Sequence, residues 1–198
     1  MSTRWSSKWS PRAARSCHDR AERGNDGVRH GGARVSCGCS LAGAVMTELL
    51  DLLPEDGIVL GAAAKDWREL TETVGELLVD ADVAEPSYTG AMIRNVETNG
   101  PYLVIAPGLA LLHARPEEGA RAPGLVLVTP RTPIEFGHST NDPVRVALGL
   151  TAVDATGHLD LLGAIGAIFT HPDAVDRIAA ARTSGELRDV VAHLTEEN

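Results

Sequence analysis

The sequence predicts an α/β domain, a mixed β-sheet flanked by helices, behind a disordered N-terminal extension. Three observations carry this. Short runs of Val, Leu and Ile bounded by Pro and Gly occupy the middle of the chain, as strands buried on both faces require. Segments with helical apolar spacing lie before and after them. The charge also breaks near Met46: residues 1–45 hold eight of the 18 basic residues but only Asp19, Glu22 and Asp26 of the 27 acidic ones, so they carry +5 and the remainder −14.

Residues 1–45 are rich in Arg, Ser and Gly and show neither strand nor helix periodicity, which predicts disorder. Met46, followed by Thr47-Glu48-Leu49-Leu50, reads as the natural start of a domain over 46–198. The extension holds all three cysteines. Cys37-Gly38-Cys39 with Cys17 matches no zinc spacing, so no metal site is expected, and nothing implies an oxidising compartment.

From Met46 onward each element has its own signal. Thr47 opens a short helix carrying Leu49, Leu50, Leu52 and Leu53, stopped by Pro54 and Asp56-Gly57. Ile58-Val59-Leu60 is a strand. Asp66 and Glu69 have capping-box spacing, and Trp67, Leu70, Val74, Leu77 and Leu78 make the apolar face behind them. A second helix opens at Pro86 and ends at Gly100, with Ala91, Met92 and Val96 inward. Strands are expected over Tyr102–Ala106, Leu125–Val128 and Val144–Val153. Leu159, Leu161, Leu162, Ile165, Ile168 and Phe169 mark an amphipathic helix, and Ala174 to Ala181 another. Thr183 and Glu186 cap the last, which carries Leu187, Val190, Val191 and Leu194.

Composition excludes several functions. Aromatic residues are 4% against 43% apolar overall, so the core is aliphatic. A net charge of −9 argues against binding nucleic acid or anionic membrane, where affinity comes from Lys and Arg. No run approaches the roughly 18 apolar residues of a membrane span. Gly-x-Ser-x-Gly and a phosphate-cradling loop ending in Lys-Ser or Lys-Thr are both absent.

Histidine is the remaining carrier of chemistry. His171, before Pro172, and His193 read as surface residues, leaving His113, His138 and His158 in the domain. Gly108 and Pro116 bracket His113 with turn signals, which places its imidazole at a strand end with Arg115 two residues away. A neutral imidazole beside positive charge suits the acceptance and release of a phosphoryl group. Gly137-His138 and Asn141-Asp142-Pro143 read as a loop leading into a strand.

The chain from Glu48 to Val191 resembles the IIA component of the bacterial phosphoenolpyruvate-dependent sugar phosphotransferase system, of the mannitol/fructose fold type. It is most similar to the L-ascorbate subgroup. The resemblance rests on Val83-Ala84-Glu85-Pro86-Ser87-Tyr88, on Gly100 through Ala110, and on His113-Ala114-Arg115-Pro116-Glu117-Glu118-Gly119. Glu135-Phe136-Gly137-His138, Asn141-Asp142-Pro143-Val144, Ala152-Val153-Asp154-Ala155, His158, Asp176-Arg177-Ile178 and Ala181-Arg182-Thr183 continue it. One position departs: the family has Pro before its phosphorylated histidine, and this chain has Leu112.

What the resemblance implies is a cytoplasmic phosphocarrier without a cofactor. His113 takes phosphate from the carrier HPr and passes it to a cysteine of the IIB component, which works with the membrane component IIC on L-ascorbate or a pentitol. His158 matches a second histidine of the family's site, and Arg94 an arginine facing the phosphate; as residues alone, the alternatives are a helix N-terminal residue for His158 and a solvated helix face for Arg94. His138 and Arg115 would border the site. An alternative on the same fold is a regulatory protein, like the nitrogen-system relatives, that signals through phosphorylation-dependent protein binding.

Overall fold

A computed structural model describes residues 49–197; the extension over 1–45 and the expected start at Met46 lie outside them. After a helical turn over residues 49–52 the order is β1 (Ile58–Ala62), α1 (Trp67–Asp80), α2 (Pro86–Asn99), β2 (Val104–Ala106), β3 (Leu109–Leu112), β4 (Gly124–Pro130), β5 (Val146–Thr151), α3 (Ala155–Ile168), α4 (Ala174–Ala180) and α5 (Ser184–Glu196). The local signals act as expected. Asp66 Oδ1 accepts the Glu69 N–H at 3.0 Å to cap α1, and Thr183 Oγ1 accepts that of Glu186 at 3.1 Å to cap α5. Pro86 sits in the first turn of α2, and Gly100, at φ 74°, ends the helix with its N–H on Val96 O.

The five strands form one mixed sheet in the order β1-β4-β5-β3-β2. β1 runs parallel to β4 and β3 parallel to β5; the pairs β4–β5 and β2–β3 are antiparallel. Strand alternation sorts the side chains into two cores. Leu109, Leu111, Leu125, Leu127, Leu148 and Leu150 pack with Leu161 and Ile165 of α3, Ile178 of α4 and Leu187 of α5. Ala110, Leu112, Val126, Val128 and Ala147 face the other way, with Leu70, Val74 and Leu78 of α1 and Met92 of α2. Each such Leu or Val removed from water contributes about 1.5–3 kcal/mol. Gly149 lets α1 approach the sheet: a Cβ there would lie 2.4 Å from Val74 Cγ1 and 2.6 Å from Val126 Cγ2.

Two expectations are corrected. The strand expected over Tyr102–Ala106 is shorter and is the first arm of a hairpin, because Pro107-Gly108 turns the chain directly into β3. Leu159, expected on the apolar face of α3, is 67% exposed. At 100° per residue it lies nearly opposite Leu161, whose face, continued by Ile165 and Ile168, meets the sheet.

Candidate functional site

Because β3 and β5 are parallel, their carboxyl ends lie side by side. His113 is the first residue beyond β3, and α3 begins four residues after β5 ends. Leu112, fully buried and paired in register with Gly149, points towards α1 and α2. Alternation turns His113 to the opposite side, where it meets His158 in the first turns of α3. The two imidazoles have centroids 5.2 Å apart, with their planes at 47°. The α3 N-terminus is built by Asp154, whose Oδ1 accepts the Gly157 N–H at 2.8 Å.

His113 is half-buried, and its Nδ1 lies 3.0 Å from Leu111 O. A carbonyl can only accept, so Nδ1 carries the proton and Nε2 holds the lone pair. Burial of the ring pushes the His113 pKa below the usual histidine value; the Leu111 carbonyl opposes this, and the neighbouring His158 adds to it. The shift favours the neutral ring, the form in which an imidazole can act as a nucleophile.

Both histidines open on a cavity of about 810 Å³ that also holds Arg94, Arg115, Asn95, Tyr102 and Glu118. Arg94 is 64% exposed and lies 3.6 Å from Glu118 Oε1. Glu118 is fixed in turn: its Oε2 accepts the Arg115 N–H at 3.2 Å, closing the turn over Pro116–Glu118. Two guanidinium groups and two imidazoles thus converge on a water-accessible space large enough for a phosphoryl group and the side chain that delivers it. Tyr102, Val153 and Leu159, about half or more exposed, put apolar surface around its mouth and beside His158.

His113, His158, Arg94 and Arg115 are brought together; His138 is not. It does not line the cavity, and its Nδ1 accepts the backbone N–H groups of Asn141 (3.0 Å) and Thr140 (3.3 Å). The loop around it is organised by Asp142 Oδ2, which accepts from the amides of Phe136, Gly137 and His138. His138 is a loop-folding residue. His193 is exposed, as expected, whereas His171 is half-buried with a buried, unpartnered Nε2, because Thr170 to Asp173 form a tight turn into α4. Among the described residues no three His, Cys, Asp or Glu side chains converge as a metal-ligand group, and no helix is long and apolar enough to cross a membrane.

The sequence reading missed Asn95. Its Nδ2 donates to His113 O at 3.2 Å and to Tyr102 Oη at 2.9 Å, and its Oδ1 accepts from Asn99 Nδ2 at 2.7 Å. The available signal was an Asn in a helix interior, where its propensity is poor, seven residues after Tyr88 and so on the same helical face.

Residues 51–194 match the family described as "Phosphoenolpyruvate-dependent sugar phosphotransferase system, EIIA 2". The "Ascorbate-specific PTS system EIIA component" of Escherichia coli (strain K12) is 44% identical over 146 residues, spanning 73% of this chain and 95% of that protein. The solution structure of the mannitol-specific cryptic phosphotransferase enzyme IIA CmtB from Escherichia coli is similar at a TM-score of 0.66 and 30% identity, over 73% of this chain and 98% of that one. The complex of enzyme IIAMTL and phosphorylated enzyme IIBMTL from Escherichia coli shares the fold at a TM-score of 0.63 and 22% identity, over 72% and 99% of the two chains. Family model, sequence relative and solved structures agree on this mixed sheet, and the chain belongs to the EIIA 2 family of the phosphoenolpyruvate-dependent sugar phosphotransferase system.

Proposed function

We propose that the protein is a cytoplasmic phosphocarrier for L-ascorbate uptake, with His113 Nε2 as the atom that carries the phosphoryl group. The observation behind this is the fixed tautomer: Leu111 O accepts from His113 Nδ1 at 3.0 Å and leaves the lone pair on Nε2, in a ring whose centroid lies 5.2 Å from that of His158. In the first step Nε2 attacks the phosphorus of phosphorylated HPr. The new N–P bond forms as the donor's N–P bond breaks, and the departing imidazole of HPr keeps the electron pair. Positive charge spreading onto the His113 ring is met at Nδ1–H by the Leu111 carbonyl. In the second step a IIB cysteine thiolate attacks the same phosphorus, the S–P bond forms, and the electron pair of the broken N–P bond returns to Nε2.

Such transfer needs positioning and charge stabilisation rather than a cofactor. His158 and Arg94 supply hydrogen bonds and positive charge to the phosphoryl oxygens, with Arg115 at the rim. The exposed Tyr102, Val153 and Leu159 give protein donors and acceptors an apolar surface to dock on. Enzyme IIAMTL, of the same fold, forms a complex with phosphorylated IIBMTL, and the 44% identical relative is named ascorbate-specific. The test is incubation with phosphoenolpyruvate, enzyme I and HPr. An acid-labile, alkali-stable label that is absent in His113→Ala and discharged by the ascorbate IIB supports the reading; a label retained in His113→Ala, or none in the wild type, overturns it.

A further inference from the structure

The peptide joining His113 to Ala114 lies just past the end of β3, where no neighbouring strand serves its hydrogen-bonding groups. Two side chains from α2 serve them instead. Asn95 Nδ2 donates to the His113 carbonyl at 3.2 Å. Tyr88 Oη, on a ring only 1% exposed, accepts the Ala114 N–H at 3.0 Å, and its proton lies between the carbonyls of Leu150 (2.9 Å) and Ala114 (3.0 Å). Residues 88 and 95 are two helical turns apart on one face, so a single rigid element grips this peptide at its oxygen and at its nitrogen. The Leu150 contact ties the same point to the end of β5, and β5 leads into the helix that carries His158.

We propose that Tyr88 and Asn95 are positioning residues that clamp the His113–Ala114 peptide and so fix where Nε2 points; the role rests on the phosphocarrier reading of His113. The Leu111 carbonyl sets the rotation of the ring, but it cannot hold the Cα from which the ring hangs. The clamp does that. In-line transfer tolerates little misplacement of the attacking atom, and an error of about 1 Å is enough to cost on the order of a hundredfold in rate. Both hydrogens of the Asn95 amide are engaged, the second on Tyr102 Oη, so the cavity wall and the nucleophile are held by one nitrogen.

The experiment uses the full chain and the Asn95→Ala variant. Asn95 is half-buried at the cavity wall, where water can replace its amide, so the fold is expected to persist. With phosphorylated HPr as donor, kcat should fall about tenfold while KM stays within twofold, the loss of one hydrogen bond that matters in the transition state. Nitrogen-15 NMR of the unphosphorylated protein supplies a readout independent of transfer. Wild-type His113 should show one Nδ1–H tautomer, and the variant a mixture. Tyr88→Phe should show the same pair of changes with a lower Tm; if it does not fold, Asn95→Ala alone decides. An unmoved His113 spectrum in Asn95→Ala, or a mixed one with unchanged kcat, overturns the clamp. A wild type that accepts no phosphoryl group sinks the phosphocarrier reading instead, while the nitrogen spectra still show whether the peptide is held.

Discussion

Replacing His158 with Ala should slow phosphoryl transfer far more than replacing Arg94 with Ala. Both side chains line the cavity that holds His113, but the structure ranks them. His158 stands on the first turns of α3, with its ring centroid 5.2 Å from that of His113 and its backbone tied to Asp154 O at 3.1 Å. A charge-assisted hydrogen bond from a group so placed to a phosphoryl oxygen is worth about 1.5–3 kcal/mol, or roughly 10- to 100-fold in rate. Arg94 is 64% exposed and shares its charge with Glu118 at 3.6 Å, so solvent screening limits its contribution to roughly a few-fold. Rapid-quench measurement of label transfer from phosphorylated HPr gives both numbers. His158→Gln, which keeps an N–H donor, should recover part of the loss. Removing His158 also removes its unfavourable effect on the protonated His113 ring, so the His113 pKa should rise in the Ala variant, visible by NMR titration. Wild-type transfer in His158→Ala, or a larger loss in Arg94→Ala, refutes the ranking.

The fold offers two further tests. Since burial depresses the His113 pKa, the unfolded chain takes up this proton at a higher pH than the folded one; this residue's contribution to stability is intact above the unfolded histidine pKa and is lost as pH falls through the lower folded value. Urea titrations at neutral and mildly acid pH should therefore show a smaller acid loss in His113→Ala, and equal losses would contradict this. Gly149→Ala places a Cβ 2.4 Å from Val74 Cγ1, overpacking that costs about 1–3 kcal/mol and lowers Tm by roughly 3–9 °C, measurable by calorimetry.

Much of the fold is legible because its signals are local. Asp66 with Glu69, Pro86 with Gly100, and Thr183 with Glu186 each mark a helix end through contacts within a few residues. His113 stood out for the same reason, bracketed by Gly108 and Pro116. What escaped is long-range. Asn95 reaches a carbonyl 18 residues away and Tyr88 one 62 residues away, and no local pattern marks such bonds. His138 was legible in its neighbours, which placed it in a loop, where its Nδ1 accepts that loop's own amides; the place beside the site came only from the resemblance, and the cavity does not include it. Leu159 entered the apolar stretch of α3 on composition alone, though its angular position puts it outside.

The hairpin between β2 and β3 decides more than where two strands turn. Gly108, at φ 78°, sits in the tight link that sets which residue of β3 pairs with which of β5, and through that which one emerges beside His158. Side chains alternate with a period of two, so one residue inserted there and passed along the strand would deliver Leu112 to that place and send His113 into the hydrocarbon beneath α1 and α2. The length of this turn should therefore be inherited as strictly as the histidine itself, while the surface loops between helices are free to drift.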